Sequence, residues 1–201
     1  MSARTPRSPC GFRSVSLDAW RESVEARRAL PGRPIVLTFD DGSVDFAQHA
    51  WPILRRYGFG AHVMIVSGSV GRWNTWDRGR ETQPLLDWSA IARLRDEGVV
   101  FGAHSVSHRR MTGLSVGDIA REAIGSREEI ERRLGAPVSS FAYPYGDEDD
   151  AVRHIVGAAG FQYGLTCRPG AANRSDPWLA LPRIEVTGFD DLRTFIAKLV
   201  V

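Results

Sequence analysis

The sequence predicts an α/β fold whose parallel sheet curls into a distorted, incomplete (β/α) barrel. Short buried runs rich in β-branched and aromatic residues alternate about six times with amphipathic helical patterns. This alternation is typical of a parallel sheet with helices outside it, either an open doubly wound sheet or a barrel. A complete eight-unit barrel takes about 250 residues, whereas this chain has 201 and the alternation occupies only residues 34–201. The length therefore favours the incomplete barrel.

Strands are predicted in the apolar runs, and helices are predicted where apolar residues recur at helical spacing. Ser115 is the expected N-cap of the third helix, and Pro52 is expected to kink the first helix or to start a new turn. The helices are expected over residues 46–57, after Trp88, over 119–134 and around His154. The strands are expected at residues 35–39, 61–66, 99–103, 140–143, 161–166 and 183–186.

Composition and charge exclude several classes of protein. The 26 Lys and Arg residues against 24 Asp and Glu give a net charge of +2, too small for a nucleic-acid partner. No run approaches the roughly 18 apolar residues of a membrane span, and the N-terminus lacks the apolar stretch of a secretory signal. For the chain as given we expect a cytoplasmic location, whereas a start further upstream would allow an extracytoplasmic one. Residues 1–10 are expected to form a flexible head, and 11–201 a single domain.

Polar side chains follow three of the predicted strands where active sites of parallel α/β folds lie. Asp40 and Asp41 end the first strand, and His104 and His108 follow the third. Four residues apart, the two histidines would share one face if they lay on a helical turn. Two histidines and one carboxylate leave coordination positions open, as catalytic metal sites do. The alternative for the aspartates is a turn or a helix cap, since Asp-Gly is a common turn pair.

Three motifs resemble the NodB-type polysaccharide deacetylases, carbohydrate esterase family four. They are TFDDG at 38–42, HSVSH at 104–108 and FAYPYG at 141–146, the last typical of one subgroup. The resemblance extends from about residue 11 to 186 and implies a distorted (β/α) barrel and a single catalytic domain. It also suggests that the N-terminal end of that domain is shortened here.

The resemblance implies a metal-dependent removal of N-acetyl or O-acetyl groups from a polysaccharide or glycan precursor. Asp41, His104 and His108 would hold a divalent metal, with zinc the first expectation and cobalt, manganese or nickel as alternatives. Asp40 would be the base that takes a proton from a metal-bound water. The backbone N–H of Tyr145 would help to hold the developing oxyanion. The expected partner is an acetylated glycan, and the oligomeric state is not predicted.

Further residues are expected to shape the substrate groove and to orient the base. Pro144 belongs to the third motif, and Asn74 and Trp76 lie in a loop whose composition suits stacking on sugar rings, although such tryptophans also often pack their own loop. Phe141 stands where many relatives have an arginine paired with the base. We therefore expect Arg183, rather than Arg168, to orient Asp40, with an ordinary surface salt bridge as the alternative for Arg183.

One departure from the family leaves alternative functions open. Neither the usual Leu-x-His segment nor a histidine upstream of Asp40 is present, so the leaving amine has no obvious proton donor. A glycan-binding relative with impaired catalysis is therefore the alternative function. A non-haem Fe(II) oxygenase also uses two histidines and a carboxylate, but such sites usually lie in antiparallel folds.

Overall fold

The computed structural model describes residues 11–76 and 81–200, so the predicted head, residues 1–10, lies outside the described residues. Two short parallel strands form one sheet, and six further strands form the central sheet. The first sheet contains β1 (Phe12–Ser14) and β2 (Arg33–Ile35). The central sheet contains β3 (Thr38–Phe39), β4 (His62–Ile65), β5 (Val100–Ala103), β6 (Ser140–Ala142), β7 (Tyr163–Pro169) and β8 (Leu181–Arg183).

Six α-helices accompany these strands in the described part of the chain. Ser115 caps the fourth helix by accepting the Asp118 N–H at 3.1 Å, as the sequence predicted. Pro52 lies in the first turn of the second helix, directly after a π-helical turn at Phe46–Ala50, so it starts a new helical segment as one of its two expected roles. The helices are α1 (Leu17–Glu25), α2 (Trp51–Arg56), α3 (Trp88–Asp96), α4 (Val116–Leu134), α5 (Asp150–Ala158) and α6 (Leu192–Lys198).

The central sheet is all parallel, and its strand order follows the chain from β3 to β8. A side-chain hydrogen bond connects β8 to β3: the Arg183 guanidinium donates to Thr38 Oγ1 at 3.2 Å. The sheet therefore curls until its first and last strands come within the reach of one arginine. The predicted incomplete (β/α) barrel is confirmed.

Both faces of the curled sheet are buried, as expected for strands that read as continuous apolar runs. Val63 and Ile65 of β4 pack into the layer between sheet and helices, whereas Met64 packs on the opposite, inner face against Leu165 and Leu181. The inner space is small, since a Cβ on Gly102 would clash with Met64 Sδ. The inner face is therefore a packed core, and the loops at the carboxyl ends of the strands are left for function.

The structure differs from the expected elements at the first and last predicted strands and at both ends of the chain. Strand β1 was not expected, and the strand predicted at 183–186 is shifted to Leu181–Arg183. The predicted strand 35–39 divides into β2 and β3, which pair with different sheets. Helix α1 was not expected, although Leu17, Trp20 and Val24 recur at helical spacing after the Ser16 N-cap. Helix α6 was also not expected.

His62 gives the fold a pH-dependent stability. It begins β4, is only 5% exposed, and its Nδ1 has no hydrogen-bond partner among the described residues. Burial lowers the pKa of His62 to about 4, against a weaker opposing effect of Asp18. The unfolded chain, with a pKa near 6.5, therefore binds more protons between pH 6.5 and 4. Stability must fall as the pH decreases through that range.

We expect the wild type to lose about 2 kcal/mol more unfolding free energy than His62→Leu when the pH is lowered from 7 to 5. Urea unfolding at a series of pH values measures this difference. His154→Leu is the control, because His154 is exposed on α5 and its replacement should leave the pH dependence unchanged. If the unfolding free energies of the wild type and His62→Leu changed in parallel with pH, burial of His62 would not be the cause of the pH dependence.

Candidate active site and metal centre

Asp40 and Asp41 occupy a tight turn directly after β3. The Gly42 N–H donates to the Asp40 carbonyl at 2.9 Å, and both Asp41 and Gly42 have positive φ angles. A Cβ on Gly42 would lie 2.7 Å from Ile65 Cγ2, so only glycine fits there. The turn thereby presents the two carboxylates in different directions at the carboxyl edge of the sheet.

An irregular loop after β5 brings His104 and His108 together. The two histidines do not lie on a helical turn, the arrangement that their spacing would allow. Ser105 and His108 have positive φ angles of 63° and 58°. The Ser105 Oγ accepts the His108 N–H at 2.9 Å, which closes the loop. Four of the five non-glycine residues with positive φ in the described chain lie at this site: Asp41, Ser105, His108 and Tyr145. Such backbone strain is typical of functional sites.

Three ligand atoms converge on one point. Asp41 Oδ1 lies 3.5 Å from His104 Nε2 and 3.4 Å from His108 Nε2, and the two Nε2 atoms are 3.1 Å apart. His104 Nδ1 lies 2.8 Å from the Ala142 carbonyl oxygen, to which it can only donate. This bond fixes the tautomer whose Nε2 carries a lone pair, the arrangement usual for a metal-ligating histidine.

The residues present fit a divalent cation. Asp41 Oδ1 is buried without a hydrogen-bond partner among the described residues, although it faces two imidazole nitrogens. Burial holds the pKa of His104 below its usual value, against opposing effects of Asp40 and Asp41. A neutral imidazole is the form that binds metals. A buried carboxylate oxygen that faces two imidazole nitrogens without a hydrogen bond is what a cation would satisfy.

Asp40 points to a different partner. Arg183 Nη1 and Nη2 donate to the two carboxylate oxygens of Asp40 at 2.8 and 2.7 Å, and Arg183 Nε donates to the Thr166 carbonyl. Burial by itself raises the pKa of Asp40, but the charge and hydrogen bonds of Arg183 outweigh this effect and hold the pKa below its usual value. Arg168 instead donates to the Ala180 carbonyl. The expected contact between Arg183 and Asp40 is present.

The third motif forms the wall beside His108. Pro144 is buried, and Tyr145 has a φ of +59°. The Tyr145 ring is 39% exposed and lies edge-on to the His108 ring, with centroids 4.7 Å apart. Arg110 lies over the Tyr145 ring, 4.5 Å from its centroid. The motif therefore places an aromatic ring next to the ligand cluster.

The loop after β4 reaches the same histidine from another side. Trp76 stacks on the His108 ring at 4.4 Å between centroids, and its Nε1 is buried without a partner among the described residues. Asn74 is buried, and its Oδ1 accepts the Gln83 N–H at 2.5 Å across the loop. Trp76 thus lies at the site, whereas the side-chain oxygen of Asn74 is engaged within the loop. Their substrate-binding roles stay predictions.

One contributing residue was missed by sequence reasoning. Glu122 on α4 accepts the backbone N–H groups of Val106 and Ser107, which lie between the two histidines. In the sequence Glu122 belongs to a charged stretch of a long amphipathic helix. The only signal that it faces inward is its helical spacing from the apolar Ile119 and its position next to the apolar Ala123.

A comparison with known families identifies the family of the chain. The polysaccharide deacetylase family profile matches residues 27–164, which include all three motifs. The chain belongs to the polysaccharide deacetylase family. No α-helix in the described ranges, 11–76 and 81–200, is long and apolar enough to cross a bilayer.

Individual relatives of this polysaccharide deacetylase family member are distant in sequence. YxkH of Bacillus subtilis, whose name describes a polysaccharide deacetylase, is 26% identical over 153 residues, covering 76% of this chain and 51% of YxkH. The poly-β-1,6-N-acetyl-D-glucosamine N-deacetylase of Staphylococcus aureus is 24% identical over 161 residues, covering 78% of this chain and 56% of that enzyme. The chain therefore spans about half the length of these curated relatives.

Solved structures agree with the fold. The Streptococcus pyogenes deacetylase PplD, in complex with acetate, superimposes with a TM-score of 0.83 at 21% identity, covering 94% of this chain and 80% of PplD. IcaB of Ammonifex degensii superimposes with a TM-score of 0.78 at 23% identity, covering 96% of this chain and 84% of IcaB. At these identities the likeness establishes that this family member shares their barrel.

Proposed function

We propose that this chain is a metal-dependent hydrolase of the FAYPYG subgroup that removes acetyl groups from amino-sugar residues of a polysaccharide or glycan precursor. The observation that carries the proposal is the juxtaposition of two adjacent carboxylates with different partners. Asp41 faces two histidines, while Asp40 is held by Arg183 and is left out of the ligand cluster. A base beside a three-ligand metal centre is the arrangement that amide hydrolysis by water requires.

Asp41, His104 and His108 would hold the metal, with zinc first and cobalt, manganese or nickel as alternatives. The chemistry that a divalent ion would supply there is polarisation of the amide carbonyl and a lower pKa of water, which would allow attack near neutral pH. Asp40 takes the proton that the attacking water releases, and Arg183 fixes both carboxylate oxygens of Asp40 during this transfer. Attack forms the new C–O bond, and the subsequent cleavage of the C–N bond gives acetate and an amine.

Tyr145 and Asp40 complete the proton and charge balance. The backbone N–H of Tyr145 stabilises the oxyanion that develops on the carbonyl. The three histidines outside the ligand cluster are His49 and His154 on helices and His62 at the start of β4. We therefore assign the return of the proton to Asp40 itself, which holds that proton after the attack of water and passes it to the leaving nitrogen.

The substrate groove would be lined by Trp76 and Tyr145, whose rings pack against His108, and by Pro144, which precedes Tyr145 in the third motif. Asn74 would act through its amide nitrogen, since its oxygen is used within the loop. The name of the Staphylococcus aureus relative directs the first choice of substrate to β-1,6-linked N-acetylglucosamine. A glycan-binding protein without turnover is not favoured, because the pairing of Asp40 with Arg183 and the convergence of Asp41, His104 and His108 support a hydrolytic role.

The direct test is acetate release from β-1,6-linked N-acetylglucosamine oligomers. Protein stripped by a chelator should release no acetate, and Zn²⁺ or Co²⁺ should restore release in proportion to the metal bound. Mg²⁺ is the control ion, because it prefers oxygen ligands to imidazole. Unchanged release after removal of the metal would refute metal dependence, and binding of oligomers without acetate release by metal-loaded protein would favour the glycan-binding alternative.

A further inference from the structure

The backbone between the two histidines is fastened on both sides by residues outside the ligand set. On one side the turn at Ser67–Ser69 donates the Ser67 N–H to the Ser105 carbonyl at 3.1 Å and the Gly68 N–H to the Val106 carbonyl at 2.9 Å. These bonds use carbonyl groups of the loop only. The N–H groups of the same loop must therefore find acceptors on the other side.

Glu122 of α4 supplies those acceptors. Its Oε2 accepts the Val106 and Ser107 N–H groups, both at 2.9 Å, and its Oε1 accepts the Ser107 hydroxyl at 2.5 Å. Helix α4 approaches the loop so closely that a Cβ on Gly125 would lie 3.3 Å from Val106 Cγ2. One side chain thus connects the helix to the two residues that precede His108.

The environment of Glu122 is unusual for a carboxylate. Its residue is 8% exposed, and within 11–76 and 81–200 no arginine, lysine or histidine forms an ion pair with it. Burying a carboxylate is unfavourable unless its oxygens are hydrogen-bonded, and within the described residues each hydrogen bond that the Glu122 carboxylate accepts comes from the loop. If α4 only needed to pack on the sheet, an apolar side chain would serve better at this position.

The backbone that Glu122 holds is also strained. Ser105 and His108 both have positive φ angles, which cost free energy and persist only when surrounding contacts impose them. Release of Val106 and Ser107 would let this segment relax toward ordinary backbone angles. His108 Nε2 would then leave the point at which it meets Asp41 and His104.

We propose that Glu122 is a positioning residue of the metal centre, which fixes the backbone of the histidine loop and thereby sets the affinity for the cation. The proposal rests on the metal centre proposed above. It concerns the reach of the Glu122 side chain rather than its charge. Partners outside the ligand set that orient metal ligands typically change metal affinity by about 10- to 100-fold when they are removed.

Two variants separate reach from charge. Glu122→Asp keeps the charge but is one methylene too short to reach the loop, and we expect Zn²⁺ binding to weaken by about 10- to 100-fold. Glu122→Gln keeps the reach, because its oxygen can accept the two N–H groups and its amide can donate to Ser107 Oγ. For this variant we expect Zn²⁺ binding within about threefold of the wild type. The readout is the Zn²⁺ dissociation constant from competition with a chromophoric chelator, which needs no activity.

Glu128→Gln is the matched control, since Glu128 is exposed on the same helix and should bind Zn²⁺ like the wild type. Wild-type affinity in Glu122→Asp would overturn the proposal, as would weaker binding by Glu122→Gln than by Glu122→Asp, which would indicate a charge effect. Thermal unfolding of the metal-free proteins verifies folding. Should Glu122→Asp not fold, Ser107→Ala decides, with about fivefold weaker binding expected and unchanged binding overturning the proposal. A substrate other than the proposed glycan would leave these results unaffected.

Discussion

Replacement of Asp40 by asparagine should lower kcat for acetate release by about 10²- to 10⁴-fold, the contribution of a positioned general base. Asparagine keeps the shape of the side chain but cannot take the proton of the attacking water. Because Asp40 is outside the ligand cluster and pairs with Arg183, the Zn²⁺ dissociation constant should change little. Steady-state kinetics and a metal titration on the same preparation measure the two quantities.

The control for this substitution is Asp45→Asn. Asp45 lies five residues further along the chain, is exposed, and bonds only to Ser43 among the contacts described. The kcat of Asp45→Asn should therefore equal that of the wild type. A kcat for Asp40→Asn within about tenfold of the wild type would mean that another group is the base. A large loss of Zn²⁺ affinity would instead place Asp40 among the ligands.

Replacement of His104 or His108 by alanine should weaken Zn²⁺ binding by about 10²- to 10³-fold and remove acetate release together. A binding free energy of roughly 10–16 kcal/mol for a zinc site with four ligands corresponds to about 3 kcal/mol for each ligand, which is the loss expected when one histidine is removed. The two variants should behave alike, since the two Nε2 atoms lie at nearly equal distances from Asp41 Oδ1. Zinc content after dialysis and chelator competition provide the measurements.

His154→Ala serves as the control, because His154 is exposed on α5 and should keep wild-type zinc content. Loss of activity with unchanged Zn²⁺ affinity in His104→Ala would show that His104 acts on the substrate rather than on the metal. Unchanged affinity in both variants would place the metal elsewhere in the protein.

The residues that sequence reasoning could locate share one property, a position next to a strand end within a short motif. Asp40, Asp41, His104 and His108 follow strands of a parallel sheet, and such sheets gather their carboxyl ends on one edge. The alternation of strands and helices also gave the barrel, because its period depends on which residues face the core. The apolar spacing of α1 also favours a helix, although no helix was predicted there.

Other features required the three-dimensional arrangement. Arg183 is 143 positions from Asp40 and reaches it only because the sheet curls until β8 approaches β3. From their spacing, His104 and His108 would share one face of a helical turn. In the structure they instead meet through a loop with positive φ angles at Ser105 and His108. Long-range packing imposes these angles, so no local propensity predicts them.

The sequence by itself determined the family, the incomplete parallel barrel and the candidate ligand residues, because these follow from local motifs and from the periodicity of apolar side chains. Only the tertiary structure decided that Arg183 holds Asp40, that Trp76 stacks on His108 and that Glu122 supports the histidine loop. Each of these contacts joins segments distant in the chain. Their formation depends on how the barrel closes and how α4 packs, and closure and packing are properties of the whole fold.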